Sequence, residues 1–402
     1  MDDSPKDPRS PGCRDLCKGA IVRIDTERVV LLGVASVFAC GGWMKTLAAW
    51  SQEYCWPLFA PTLFLLTCSA TAQSDADADP LFAGDDPLNV KIVAPLTSIM
   101  FNREDDKDVP GTFQFLDTDG RLVEFDIGLR TRGNFRRQRK VCLFVPLRLN
   151  FKTSQTDKTL FRQQDKLKLV THCQSAIEYQ GNVLREYLAY RIFNILTNIS
   201  FRVRLLSITY VDTDNNNREI ISYGFLIEHK EKLAQRIGVP TAQVSRMFLP
   251  DLQSAYTNLT SLFHYFLGNT DFSQIGPETD DSCCHNHAPF SNVDGSYFSI
   301  PFDFDMSGFV DAEYSEPARN FGPRKPRRRL YRGWCTNNAH LPASVQLFNE
   351  KRGEIYELID SFDLLSSVKR KSLLRFIDRF YASVESPKKI EKNLVKHCKE
   401  SD

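Results

Sequence analysis

Pro146-Leu-Arg-Leu-Asn-Phe-Lys152 is the stretch on which the fold turns. Apolar and polar residues alternate with the period of two that a β-strand imposes. Leu147, Leu149 and Phe151 therefore share one face, and Arg148, Asn150 and Lys152 share the other. The stretch lies in a longer run, 143–151. Similar short runs rich in Val, Phe, Leu and Ile occur at 90–93, 112–116, 122–129 and 167–170. Asp119-Gly120 and Gly133-Asn134 punctuate them as turns. Beyond them the period changes: Val183, Leu184, Tyr187, Leu188, Arg191, Ile192 and Ile195 recur at helical spacing. Strands are expected again at 203–211 and 219–228, around the turn Thr213-Asp-Asn-Asn-Asn217. After Lys230 helical spacing dominates, with helices expected over 252–267, 343–361 and 364–384. A Pro-, Gly- and Asn-rich stretch, 268–308, separates the first of these from the others. Strands followed by helices predict an α+β chain with a β-rich N-terminal lobe over 88–229. A mainly helical C-terminal lobe follows over 230–385, and a tail over 386–402.

The 402 residues are 42% hydrophobic and 25% charged, which is globular composition. A net charge of +1 gives no global field toward nucleic acid, and no nucleic-acid partner is expected. Near the start, Met44-Lys45, the apolar run Trp56 to Leu66 and the small-residue triplet Ala70-Thr71-Ala72 stand in the order of a signal peptide. Residues 44–72 are read as that signal, 73–87 as an acidic linker, and 1–43 as an upstream extension outside the true start or as a membrane anchor. Export to the periplasm or cell envelope follows. Leu65-Leu66-Thr67-Cys68 resembles a lipobox, so membrane attachment is expected only through lipidation of Cys68. Of the 11 cysteines, those beyond Ala72 are Cys142, Cys173, Cys283, Cys284, Cys335 and Cys398. In an oxidising compartment they permit disulfides, among them Cys142–Cys173 and a bond from Cys283 or Cys284 to Cys335.

Four blocks carry candidate chemistry. Leu129 to Lys140 sets six cations, Arg132 and Lys140 among them, around a Gly-Asn turn that can present N–H groups and arginines to phosphate; a solvated basic hairpin is the plainer reading. Lys152 closes the alternating strand, and Glu186 and Glu228 are candidate carboxylate partners for such a cation. Leu267-Gly-Asn-Thr-Asp271 places an aspartate just past a helix, where it can accept a proton, and Asn286 follows in Cys283-Cys-His-Asn-His287. That cluster could also bind zinc, but its spacing does not match structural zinc sites. Ile300-Pro-Phe-Asp303-Phe-Asp305-Met-Ser-Gly308 delivers two carboxylates from an apolar strand, a donor set suited to Mg²⁺. A second basic run, 324–332, either faces an acidic substrate or is an exposed loop. Gly-x-Ser-x-Gly is absent, which argues against a hydrolase of that type.

In this order the blocks form a parts list for phosphoryl transfer, which needs positioning and charge neutralisation. Over about residues 120–310 the chain resembles the spore-coat CotH kinase-like family. The carriers are the Arg132-Gly-Asn block, the Pro146 to Lys152 strand, Gly268-Asn-Thr-Asp-Phe-Ser273 and Pro301-Phe-Asp-Phe-Asp305. The resemblance implies a bilobed kinase-like fold using ATP with Mg²⁺ or Mn²⁺ on a protein or small-molecule acceptor. It implies Asp271 as catalytic aspartate and Asn286 with Asp303 or Asp305 as metal ligands. Lys152, or else Lys140, would contact phosphates, with Glu186 or Glu228 as ion-pair partner. The alternative is a catalytically inactive binding protein of the cell envelope. The chain departs from ordinary kinases in lacking a Gly-x-Gly-x-x-Gly loop and a His-Arg-Asp before Asp271.

Overall fold

The computed structural model describes residues 79–104, 106–174, 177–276, 283–315 and 328–400. The extension at 1–43, the signal at 44–72, the lipidation at Cys68 and the linker up to 78 all lie outside the described residues. In chain order the elements are α1 Pro80–Ala83, β1 Leu88–Ala94, α2 Leu96–Asn102, β2 Val109–Leu116, β3 Leu122–Thr131, β4 Leu147–Phe151, α3 Thr153–Thr156, β5 Lys166–Val170, α4 Ile177–Leu196, β6 Val203–Asp212, β7 Arg218–Ile227, α5 Lys230–Ile237, α6 Ser254–Leu267, β8 His287–Ser291, β9 Tyr297–Pro301, α7 Leu341–Glu350, α8 Arg352–Asp360, α9 Ser367–Val384 and α10 Pro387–Asn393.

The strands do not form the β-rich lobe of a bilobed kinase-like fold. Seven of them close into a barrel in the order β1-β2-β3-β4-β5-β7-β6. Most neighbours are antiparallel, but β1 and β6 pair in parallel, from Leu88 opposite Leu206 to Ala94 opposite Asp212. That parallel seam is the physical reason for the correction. It joins segments more than a hundred residues apart, leaves no local trace in the sequence, and removes the free sheet edges. The architecture is α+β, with a closed barrel and helices packed on it.

Alternation explains how the barrel holds two cores at once. Leu206, Ile208, Tyr210 and Leu226 point inward, beside Phe113, Phe115, Phe125, Phe151 and Phe161. Val203, Leu205, Phe225 and Ile227 point outward into a second apolar cluster shared with α4, α6 and α7 to α9. The outer face of β6 and β7 is thus the seat of the helices, and both strands read as nearly continuous apolar runs.

Several elements differ from expectation. The helix expected over 343–361 breaks at Lys351, whose backbone, at φ −87° and ψ 2°, caps α7 before α8 restarts. The 268–308 stretch contains the hairpin β8–β9, turned at Asp294-Gly295 with Gly295 at a φ of 83°. Residues 143–146 are not strand: the N–H groups of Leu143 and Phe144 both donate to the Cys173 carbonyl, beside the disulfide Cys142–Cys173. Cys335 pairs with Cys398, and Cys283 with Cys284, so the expected bond from Cys283 or Cys284 to Cys335 does not form. The reason is that the chain end returns to Cys335, where Lys399 and Trp334 form a bridge. These disulfides are compatible with an exported chain. No helix among the described residues is long and apolar enough to cross a membrane.

Candidate functional site

Three backbone segments are sewn together beside the barrel. Helix α6 ends at Gly268, whose φ of 61° lets the chain turn off the helix. The N–H groups of Gly308 and Phe309 donate to the carbonyls of Gly268 and Leu267, bringing the segment after β9 against the segment after α6. Phe302 N–H donates to the Asn286 carbonyl and Ser273 N–H to the His285 carbonyl, tying in the segment before β8. Asp271, Asn286, Asp303 and Asp305 are therefore neighbours, although they are spread over 35 positions of sequence.

Asp271 is held from several directions. Its N–H donates to Asn269 Oδ1 at 2.9 Å, and Asn286 Nδ2 donates to its carbonyl at 2.8 Å and to its Oδ2 at 3.0 Å. His285 Nε2 lies 2.8 Å from Oδ1. Behind Asn269 runs a buried chain of neutral groups. Asn269 Nδ2 contacts His264 Nδ1 at 3.2 Å, His264 Nε2 meets His287 Nε2 at 2.8 Å, and His287 Nδ1 reaches the Ser299 carbonyl at 2.9 Å. One set of tautomers satisfies all three contacts: Asn269, His264 and His287 each donate onward. Burial keeps both imidazoles uncharged, pushing His287 down to about 3 and His264 well below the ordinary histidine range. Arg332 donates to the Thr270 and Phe272 carbonyls and lies over the Phe272 ring at 4.8 Å. Arg329 lies over Phe376 at 3.9 Å. Arg329 and Arg332 of the second basic run are thus packed into the fold, while Arg328 is exposed.

The cations opposite come from the barrel and the loop after β3. Arg132 and Arg136 reach inward toward Glu186, Asp303 and Asp305. Burial lowers Arg132, partly offset by Asp303. Around Arg136, Tyr314, Asp305 and Glu186 outweigh the burial and raise it. Arg136 also donates to the Thr171 carbonyl and sits 5.7 Å from the Tyr314 ring centre, whose hydroxyl donates to Asp305 Oδ2 at 3.2 Å. Lys168 stands on the outer face of β5, its ammonium 4.5 Å from the Phe302 ring. More than a third of its surface stays open to water, so it lies at the protein surface and not in a core. Crowding by protein, then by Arg132, pushes Lys168 down to about 8.

The carboxylates are more numerous than their pairing needs. Glu186 is 2% exposed, and its Oε1 has no hydrogen-bond partner. Burial, then Asp305 and Asp303, holds it well above the usual carboxylate range. Asp305 is pushed up to about 7 by burial and then by Asp303. Asp303 takes a left-handed φ of 62°, and its N–H donates to the Tyr190 hydroxyl at 2.8 Å. Among the described residues no three His, Cys, Asp or Glu side chains approach closely enough to hold one ion between them. Mg²⁺ asks for less, one or two carboxylates completed by phosphate oxygens and water. Burial holds protons on Glu186 and Asp305, and a divalent cation would take the place of such protons, so Asp303 and Asp305 fit it.

Other expected residues lie elsewhere. Lys152 ion-pairs with Asp126 at 3.2 Å on the open surface, and Lys140 is exposed. Glu228 is buried but committed to Arg236, which donates to it at 2.9 and 2.8 Å, and to the Arg202 N–H. Cys283 and Cys284 are bonded to each other, which removes them as zinc ligands. Lys168 and Arg136 were not singled out by sequence pattern. The alternation Lys166-Leu-Lys-Leu169 held the needed signal for Lys168, because it places that lysine on the barrel's outer face. No family model matches the chain, and no curated protein matches it.

Proposed function

We propose that this chain is an exported phosphotransferase that moves phosphate from Mg-ATP, or its Mn²⁺ equivalent, to a protein or small-molecule acceptor. The resemblance to the CotH kinase-like family supports this chemistry, while the bilobed architecture it implied is set aside. The carrying observation is the meeting of Arg132, Arg136 and Lys168 with Glu186, Asp271, Asp303 and Asp305 in one charged cluster. Periplasm or cell envelope is the proposed location, with lipid attachment at Cys68 as the only membrane contact.

Each residue has a role set by its surroundings. Lys168, Arg132 and Arg136 hold phosphate oxygens, replacing water with fixed positive charge. Asp303 and Asp305 hold the metal, which when bound supplies further charge neutralisation on those phosphates. Asp271 accepts the proton of the acceptor hydroxyl. The acceptor oxygen forms a bond to the terminal phosphorus as that phosphorus parts from the nucleoside diphosphate. Asn269 and Asn286 aim Asp271, and Glu186 keeps Arg132 and Arg136 turned inward.

Thermal unfolding of the full chain with Mg-ATP is the test, since a ligand of the native state raises the melting temperature. Transfer to an added acceptor should then fall by about 10²- to 10⁴-fold in Asp271→Ala. No shift with Mg-ATP or Mn-ATP would sink the proposal. A shift with no transfer, unchanged in Asp271→Ala, would leave a nucleotide-binding protein of the envelope without turnover.

A further inference from the structure

Strand register forces a row of like charges onto the outer face of β3, β4 and β5. Arg130 stands opposite Arg148, and Arg148 stands opposite Lys168. Their sequence neighbours Leu129, Leu149, Leu167 and Leu169 fill the barrel, so the three cations share the outward side. Directly opposed like charges weaken a sheet, and a fold has no reason of stability to place three in line.

The protein compensates one of the three. Arg130 Nε lies 2.9 Å from Asp108 Oδ1, and Asn150 Nδ2 anchors Asp108 Oδ2 at 2.7 Å. Arg148 and Lys168 have no carboxylate within ion-pair distance among the described residues. Instead Lys168 feels Arg132, Arg148 and Lys230, with Asp303 the one nearby anion that counters them. Arg132 lies close enough to act on Lys168, and Arg136 lies close enough to act on Arg132.

We propose that Arg148 and Lys168 form a clasp for a polyphosphate chain, so that the site takes a triphosphate, free or carried by a nucleoside, and not a phosphomonoester. Arg148, Lys168 and Arg132 keep surface open to water and Arg136 is buried beside them, against a charge of about −2 on one phosphate group. A triphosphate lying across β4 and β5 brings its far end to Arg132 and Arg136. This assignment rests on the phosphotransfer reading for the reaction, but the clasp itself is a binding claim and can be tested alone.

Titration calorimetry on the full chain with inorganic tripolyphosphate and with orthophosphate makes the test. Tripolyphosphate is expected to bind the tighter of the two. Arg148→Gln should weaken it about tenfold while Arg148→Lys restores most of the loss. Without ligand, Arg148→Gln should melt at or above the wild-type temperature, because it removes an opposed charge. Equal binding of the two phosphates, unchanged binding in Arg148→Gln, or a lowered melting temperature with no rescue by lysine would overturn the clasp. If the clasp holds and no transfer is seen, the transfer reading falls and the clasp stands. If Mg-ATP is turned over but Arg148→Gln binds tripolyphosphate like wild type, the reverse is true.

Discussion

Acidification should reveal a contest between buried histidines and buried carboxylates. His172, His264 and His287 are held neutral, His172 at about 4 and His287 at about 3, all by burial first. Each takes up a proton on unfolding once the pH is below the ordinary value of 6.5. Its stabilising contribution is therefore complete above that pH and is lost as pH falls toward the folded value. Glu186 and Asp305 pull the other way. Their folded affinities for protons are raised, Asp305's to about 7, so the folded state keeps protons that the unfolded chain releases. Between pH 5 and 6, unfolding gains about three protons at the histidines and loses about two at the carboxylates. The net is about one proton, or about 1.4 kcal/mol of stability lost per pH unit of acidification. His229 and Asp79, less buried, are shifted down and up in turn, by burial first, and so oppose each other in the same way.

The perturbation that exposes the balance is Glu186→Gln with Asp305→Asn. With the opposing pair gone, the slope should steepen to about 4 kcal/mol per pH unit. Above pH 7 the variant should be the more stable protein, because wild type there either carries crowded charge or keeps protons that the unfolded chain releases. The assay is urea unfolding followed by tryptophan fluorescence at several pH values from 5 to 8, without divalent metal. Parallel stability-versus-pH lines for the two proteins would refute the reasoning, since they would mean that the carboxylates are ionised in the native state at every pH tested.

Other substitutions separate the roles further. Lys168→Met should abolish the thermal shift with Mg-ATP, whereas Lys152→Met, at an exposed ion pair, should change stability by less than about 0.5 kcal/mol and leave the shift intact. Mg-ATP affinity should fall above pH 8, as Lys168 loses the charge that crowding has already weakened; a flat affinity from pH 7 to 9.5 by calorimetry would count against the lysine. Phe161→Ala, deep among Phe113, Phe115, Phe125 and Phe151, should cost about 3–5 kcal/mol in urea unfolding. Replacing Cys142 and Cys173 by serine should cost about 2–4 kcal/mol, because the bond closes a loop between positions 31 residues apart.

The sequence made the strands of the barrel legible but not their closure. Alternation at Leu147, Leu149 and Phe151 marks β4 directly, because one face is buried and the other is not. The parallel seam of β1 and β6 has no such mark, since alternation shows which face of a strand is buried and not which strand lies beside it. The site divides in the same way. Asp271, Asp303 and Asp305 sit at ends of elements, where turn chemistry advertises a carboxylate. Glu186 was visible through helical spacing, but its competition with Glu228 could be decided only by seeing Arg236 take Glu228. Lys152 and Lys140 were singled out and Lys168 was not, because spatial proximity to Phe302 and Asp303 lies outside what pattern contains.

Stability and site chemistry conflict at the same few residues. Elsewhere the chain settles some buried polar groups, Glu228 by Arg236 and His264 and His287 by hydrogen bonds as neutral rings, while others such as Tyr210 Oη and Asn338 Oδ1 have no hydrogen-bond partner. Around the charged cluster it leaves Glu186 Oε1 unpartnered, Asp303 in a left-handed turn, and Arg148 facing Lys168. Local rules broken without local compensation mark functional positions. The signs of the unsettled charges matter more than their number. Unpaired cations on the barrel call for an anion, and crowded carboxylates beyond them call for a cation. A metal-bound polyphosphate satisfies both, and neither free phosphate nor a free metal ion does. The two ligands should therefore bind cooperatively, each relieving the repulsion that opposes the other.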